Sequence, residues 1–177
     1  LAVLEKKEVR GLLKHESYHL IFDHCVSRKK EPHTLWNWAT DLAINSLIPC
    51  DELPTGGLRP GQPLDLSEID KPDLREKWQK VSDFIETLPL NLASEQYFKM
   101  LQDNEDIRKT IQEKGSGDGS FVLDDHEGWG DLSDEEKEIA KGKIKQALAE
   151  AVKKADQTGQ WGSVSSEARE KLRKMAS

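Results

Sequence analysis

Residues 12–28 read LLKHESYHLIFDHCVSR, and the order of residue types in this stretch governs both the fold and the chemistry expected of the chain. It contains His15-Glu16-Ser17-Tyr18-His19, an H-E-x-x-H. On an α-helix, residues four apart stand one turn above each other on the same face. Two imidazoles so stacked can hold one zinc ion without any backbone movement, since neutral imidazole binds zinc at about 2.0–2.1 Å. Glu16 follows the first histidine, so its carboxylate sits beside the metal rather than on it. There it is placed to take a proton from a metal-bound water. Leu12, Leu13, Leu20, Ile21 and Phe22 surround the motif, which predicts a buried helix. The plain alternative is a surface helix with two solvated histidines. It leaves unexplained why these polar groups lie in such an apolar helix, where burial costs free energy unless they are paired or bind metal. A third histidine, His24, follows within a turn and a half.

Working outward, residues 4–27 read as the first helix. Gly11 interrupts its helical propensity and points to close packing of another element there. A charged turn ending at Pro32 leads to a second helix over residues 33–48, HTLWNWATDLAINSLI, closed by Pro49. It is apolar nearly all round, the mark of a buried helix, yet Asn37, Asp41 and Asn45 form a polar ladder at i, i+4, i+8. A buried carboxylate needs a partner, and a metal is the strongest on offer. Residues 50–73 hold four prolines and three glycines and read as a long loop, either the rim of a substrate cleft or a surface connection. A third helix is expected over 73–88, with Leu74, Trp78, Val81 and Ile85 inward. A fourth is expected over 93–113, capped by Ser94, with Tyr97, Leu101, Ile107 and Ile111 inward. KGSGDGS, residues 114–120, reads as a linker. A capping box at residues 133–136 opens a helix to about Thr158, with Ile139, Ile144, Leu148, Ala151 and Val152 inward and Gly159 past its end. A last helix spans about 165–175, capped by Ser165 or Ser166. The fold class is therefore mainly α, with little or no β. Residues 1–113 are read as a helical core and residues 114–177 as a linker, a DDHEGW loop and C-terminal helices packing on it.

Composition narrows the function classes. The 177 residues carry a net charge of −7, with 33% charged and 36% hydrophobic. No basic arm or stripe stands out, which argues against a nucleic-acid partner. No run of about 18 apolar residues predicts a membrane span, and no signal peptide appears. The expected location is cytoplasmic. Cys25 and Cys50 form no C-x-x-C and read as reduced thiols, with a disulfide or a thiolate ligand at Cys25 as alternatives. The first residue is Leu rather than Met, so a natural start upstream of this chain is expected.

A family resemblance rests on four blocks in order: H-E-x-x-H-x-x-x-x-H from His15 to His24 with Arg28 after it, WNWATDLAIN at 36–45, ASEQYFKML at 93–101, and DDHEGW at 124–129. Together they resemble the zinc metallopeptidase domain of the zincin superfamily that bacteria and phages encode, often beside von Willebrand A-like domains and MoxR-type ATPases. The resemblance implies a zincin-like active-site helix, a Zn2+ cofactor and hydrolysis of peptide bonds. Zincin domains usually carry a small β-sheet ahead of that helix. Here the chain starts almost at the helix, so the sheet is expected either in a segment ahead of Leu1 or not at all.

Catalytic zinc takes three protein ligands and keeps one position open. His15 and His19 are two, and the third is Asp41 or His24. At about 100° per residue, His24 falls off the face of the other two unless the helix ends or bulges first. Asp41 lies on the next helix, as in zincins whose third ligand is acidic, and is favoured. Asn37 and Asn45 flank Asp41 and are expected to orient the ligands. His126 in the DDHEGW loop is a candidate catalytic donor for the developing oxyanion, as is Tyr18. The expected reaction is hydrolysis of a protein or peptide substrate through a metal-activated water, with Glu16 as general base. The alternative is a non-catalytic, zinc-stabilised helical module that binds a partner protein.

Overall fold

The computed structural model describes residues 5–22, 30–53, 57–114 and 134–177. Its organising element is α2 (His33–Asn45), ten of whose thirteen residues are buried. Its sequence has no Gly or Pro, so propensity does not interrupt it. Its apolar residues run all round, and other elements pack on several sides of it. Trp36, Trp38, Leu42 and their neighbours build one core with α3 (Pro72–Thr87), α4 (Ser94–Asp103) and α5 (Glu105–Lys114). There Trp38 stacks on Trp78 with centroids 5.9 Å apart, and Trp36 meets Phe98 edge-on at 5.7 Å. Such aromatic pairs add about 0.5–1.5 kcal/mol beyond their buried area. Ile44, with Leu47 and Ile48 just beyond the helix, joins a second core. This one is completed by Tyr18 of α1 (Lys6–Ile21), Val152 of α6 (Asp134–Thr158), and Ala168 and Leu172 of α7 (Ser166–Ala176). The described residues form helices, turns and loops without a strand, so the protein is mainly α.

Several boundaries differ from the sequence expectation for identifiable reasons. The expected helix over 93–113 is two helices. Asn104 adopts an extended conformation (φ −98°, ψ 102°), and its Oδ1 accepts from the backbone N–H of Ile107, capping α5. Ser94 is the first residue of α4 rather than its cap. The N-cap position is held by Ala93, whose N–H donates to Gln96 Oε1. The loop after α2 is neither a cleft rim nor a surface connection throughout. It opens with a 3₁₀ turn at Cys50–Glu52 and then buries Leu58, Leu64 and Leu66 in the first core. Its backbone is tied to α3: Leu64 N–H donates to Ser82 Oγ, and Gly61 N–H to Ile85 O, with Gly61 at φ +76°. Buried backbone groups need such partners. On α6, Leu148 and Val152 pack inward, but Ile139 is 53% exposed and Ala151 faces solvent. Ser165 caps α7 by accepting from Ala168 N–H.

Two contacts set α1 against this frame. Gly11 faces the 3₁₀ turn so closely that a Cβ there would lie 1.8 Å from the Glu52 carbonyl oxygen. One turn on, Lys14 Nζ reaches Glu52 Oε2 at 2.5 Å and also donates to the backbone oxygen and the hydroxyl of Ser163, between α6 and α7. Arg10 adds a longer contact to Glu52 at 3.5 Å. The Glu52 side chain is 3% exposed. Burial raises its carboxyl pKa, but hydrogen bonds from Lys14 and Ser163 and the charges of Lys14 and Arg10 outweigh this and hold it below 4.5.

Candidate metal centre

Pinning α1 at Gly11 and Lys14 brings its next turn against α2. His15 and His19, one turn apart on α1, are wholly buried, and so are Asp41 and Asn45 on α2. The two imidazole Nε2 atoms are 3.1 Å apart, with the rings edge-on at 70°. Asp41 Oδ1 lies 3.1 Å from His19 Nε2 and 3.6 Å from His15 Nε2. Three donor atoms from two helices thus form a small triangle. Around a tetrahedral zinc with ligands at about 2.0–2.1 Å, neighbouring donors stand roughly 3.3 Å apart. The observed edges bracket that figure. Two imidazoles and a carboxylate are also a donor set that zinc accepts. The residues present therefore fit a metal ion by spacing and by chemistry.

The surroundings differ from residue to residue. His15 Nδ1 lies 2.8 Å from Asn45 Oδ1, and Asn45 Nδ2 donates to the carbonyl of Leu58 at 2.7 Å. Asn37, one turn before Asp41, is placed instead beside His33, with its Nδ2 3.4 Å from His33 Nε2. Glu16 is half-buried on α1, directly after His15. Tyr18 sits in the second core with Ile44 and Leu47. Its hydroxyl is buried without a hydrogen-bond partner among the described residues, and burial, helped by the Glu52 charge, pushes its pKa up to about 12. His24, Cys25 and His126 lie outside the described residues, as do Asp124, Asp125, Trp129 and Ser133. Cys50 is a free, exposed thiol that accepts from Gln62 Nε2.

Sequence reasoning missed two contributors. One is the Leu58 carbonyl behind Asn45, a backbone group in an irregular segment that leaves no signature in residue types. The other is the Lys14–Glu52 pair, whose members are 38 residues apart. The nearest sequence signal was Gly11, an interruption in an otherwise regular helix.

The whole chain, residues 1–177, matches the family model described as "Putative metallopeptidase domain". Neither a curated protein nor a solved structure matches it. No helix among the described residues is long and apolar enough to cross a membrane.

Proposed function

The chain belongs to the family of metallopeptidase domains that its whole length matches, and from that premise we propose a zinc-dependent peptidase of the zincin type. His15, His19 and Asp41 hold the ion, and Glu16 is the general base. The observation that carries this reading is the triangle of buried donors, two from α1 and one from α2, with edges of 3.1, 3.1 and 3.6 Å. When bound, zinc supplies Lewis acidity and a water whose pKa falls from 15.7 to about 7. The chain's own residues do the rest. Asp41 brings a negative charge that offsets the cation in a buried setting. Asn45 orients His15. The Glu16 carboxylate takes up the proton of the attacking water and returns it to the leaving amine of the peptide. The substrate is a peptide or protein, since amide hydrolysis is the chemistry this donor set and base are suited to.

General-base help is worth about 10²–10⁴-fold. Glu16→Gln is therefore expected to retain one zinc per chain by elemental analysis while peptide hydrolysis falls by that factor. Undiminished turnover in zinc-loaded Glu16→Gln would remove Glu16 from this role. A wild-type protein purified without chelators and carrying no metal would overturn the metal reading itself.

One observation favours a second reading. All three donors are 0% exposed, as in metal sites that serve folding rather than turnover. A non-catalytic, metal-stabilised module that binds a partner protein would show zinc-dependent stability and no hydrolysis of any peptide pool.

A further inference from the structure

We infer that Asn45 is a positioning residue that fixes the tautomer of His15, so that the Nε2 lone pair faces His19 and Asp41. The inference rests on the metal reading above and adds to it a device that selects the ligating nitrogen.

The Leu58 carbonyl sets the order of donors and acceptors that ends at His15. A carbonyl oxygen only accepts, so the Asn45 atom 2.7 Å from it is the amide Nδ2, which donates. That leaves Asn45 Oδ1 toward His15, 2.8 Å from its Nδ1. An amide oxygen also only accepts, so His15 Nδ1 carries the proton. A neutral imidazole has one N–H, so Nε2 of His15 is left with its lone pair. This is the atom 3.1 Å from His19 Nε2 and 3.6 Å from Asp41 Oδ1. Asn45 and Leu58 are wholly buried, so water does not compete for these bonds. The ligating nitrogen of α1 is thus set by a backbone carbonyl of the segment after α2, acting through one amide. The same segment is held in the first core by Leu58 and Leu64.

The first test needs no substitution. Long-range ¹H–¹⁵N correlation spectra of the metal-free protein are expected to show His15 protonated at Nδ1. A proton on Nε2 of His15 would overturn the inference. The second test measures zinc affinity by competition with a chromophoric chelator. Partners behind a ligating histidine are worth about 10–100-fold in affinity, so Asn45→Ala is expected to weaken zinc binding by that factor. Asn45→Asp keeps an acceptor facing Nδ1 and is expected to recover the affinity, although it loses the donation to Leu58 and melts lower. Ser82→Ala frees Leu64 of the same segment from α3 and is expected to lower stability without changing zinc affinity. Equal losses in Asn45→Ala and Asn45→Asp, or an unchanged affinity in Asn45→Ala, would overturn the positioning role. A wild-type protein that binds no zinc but shows the Nδ1 proton would sink the metal reading and leave the tautomer assignment standing.

Discussion

Gly11 shows how one missing side chain can place a helix. A Cβ there would fall 1.8 Å from the Glu52 oxygen and 2.7 Å from its carbonyl carbon. Both are backbone atoms that cannot swing away. Alanine at this position gains about 1 kcal/mol of helix propensity, but forcing an atom into a filled space costs about 1–3 kcal/mol or more. Gly11→Ala is therefore expected to destabilise the protein in urea titrations, and a stabilised variant would refute the close approach. Glu52 makes a second prediction. Its folded pKa lies below 4.5 despite burial, because Lys14, Ser163 and Arg10 favour the charged form. A depressed folded pKa contributes stability that is present above the unfolded value and lost as pH falls through the folded one. Urea stability should therefore drop below about pH 4.5, with a smaller acid-induced loss in Glu52→Gln. Equal losses in the two proteins would refute the assignment. At this scale the sequence spoke through Gly11 as an interruption, but it could not say which carbonyl the gap admits.

At the scale of elements, periodicity located the helices and packing trimmed them. The break at Asn104 has a sequence trace. Tyr97 to Leu101 and Ile107 to Ile111 are steps of four, whereas Leu101 to Ile107 is six. A helix cannot keep one face across that step, and Asn is a residue that caps the next one. The loop after α2 left less to read. Its prolines and glycines announced irregular backbone, but its burial depends on Leu58, Leu64 and Leu66 meeting α2 and α3. Ser165 offers a local test. Its hydroxyl accepts from Ala168 N–H at the start of α7, and an N-cap of this kind is worth about 1 kcal/mol. Ser165→Ala should lose about that much stability in denaturant, whereas Ser166→Ala, one position inside the helix, should lose little. The reverse ranking would place the cap at Ser166.

For the whole molecule, the deciding feature is that α2 belongs to both cores and also carries Asp41 and Asn45. The candidate metal site is thus surrounded by the parts that hold the protein together, and the three side chains that could hold an ion are wholly buried. Binding to the folded state alone stabilises by about 4 kcal/mol when free metal is a thousandfold above Kd. In a domain of this size that amounts to a Tm shift on the order of 10 °C. Chelation should lower Tm by that order, and added zinc should restore it. An unchanged Tm after proven metal removal would separate the site from the stability of the fold. The sequence by itself determined the helical class, the central burial of α2 and the stacking of His15 over His19, because each follows from spacing along one segment. Only the tertiary structure decided what meets those histidines: Asp41 from α2, and the Leu58 carbonyl acting through Asn45. Such contacts depend on how helices are docked, here through Gly11 and the Lys14–Glu52 pair, and spacing within a segment carries no information about docking.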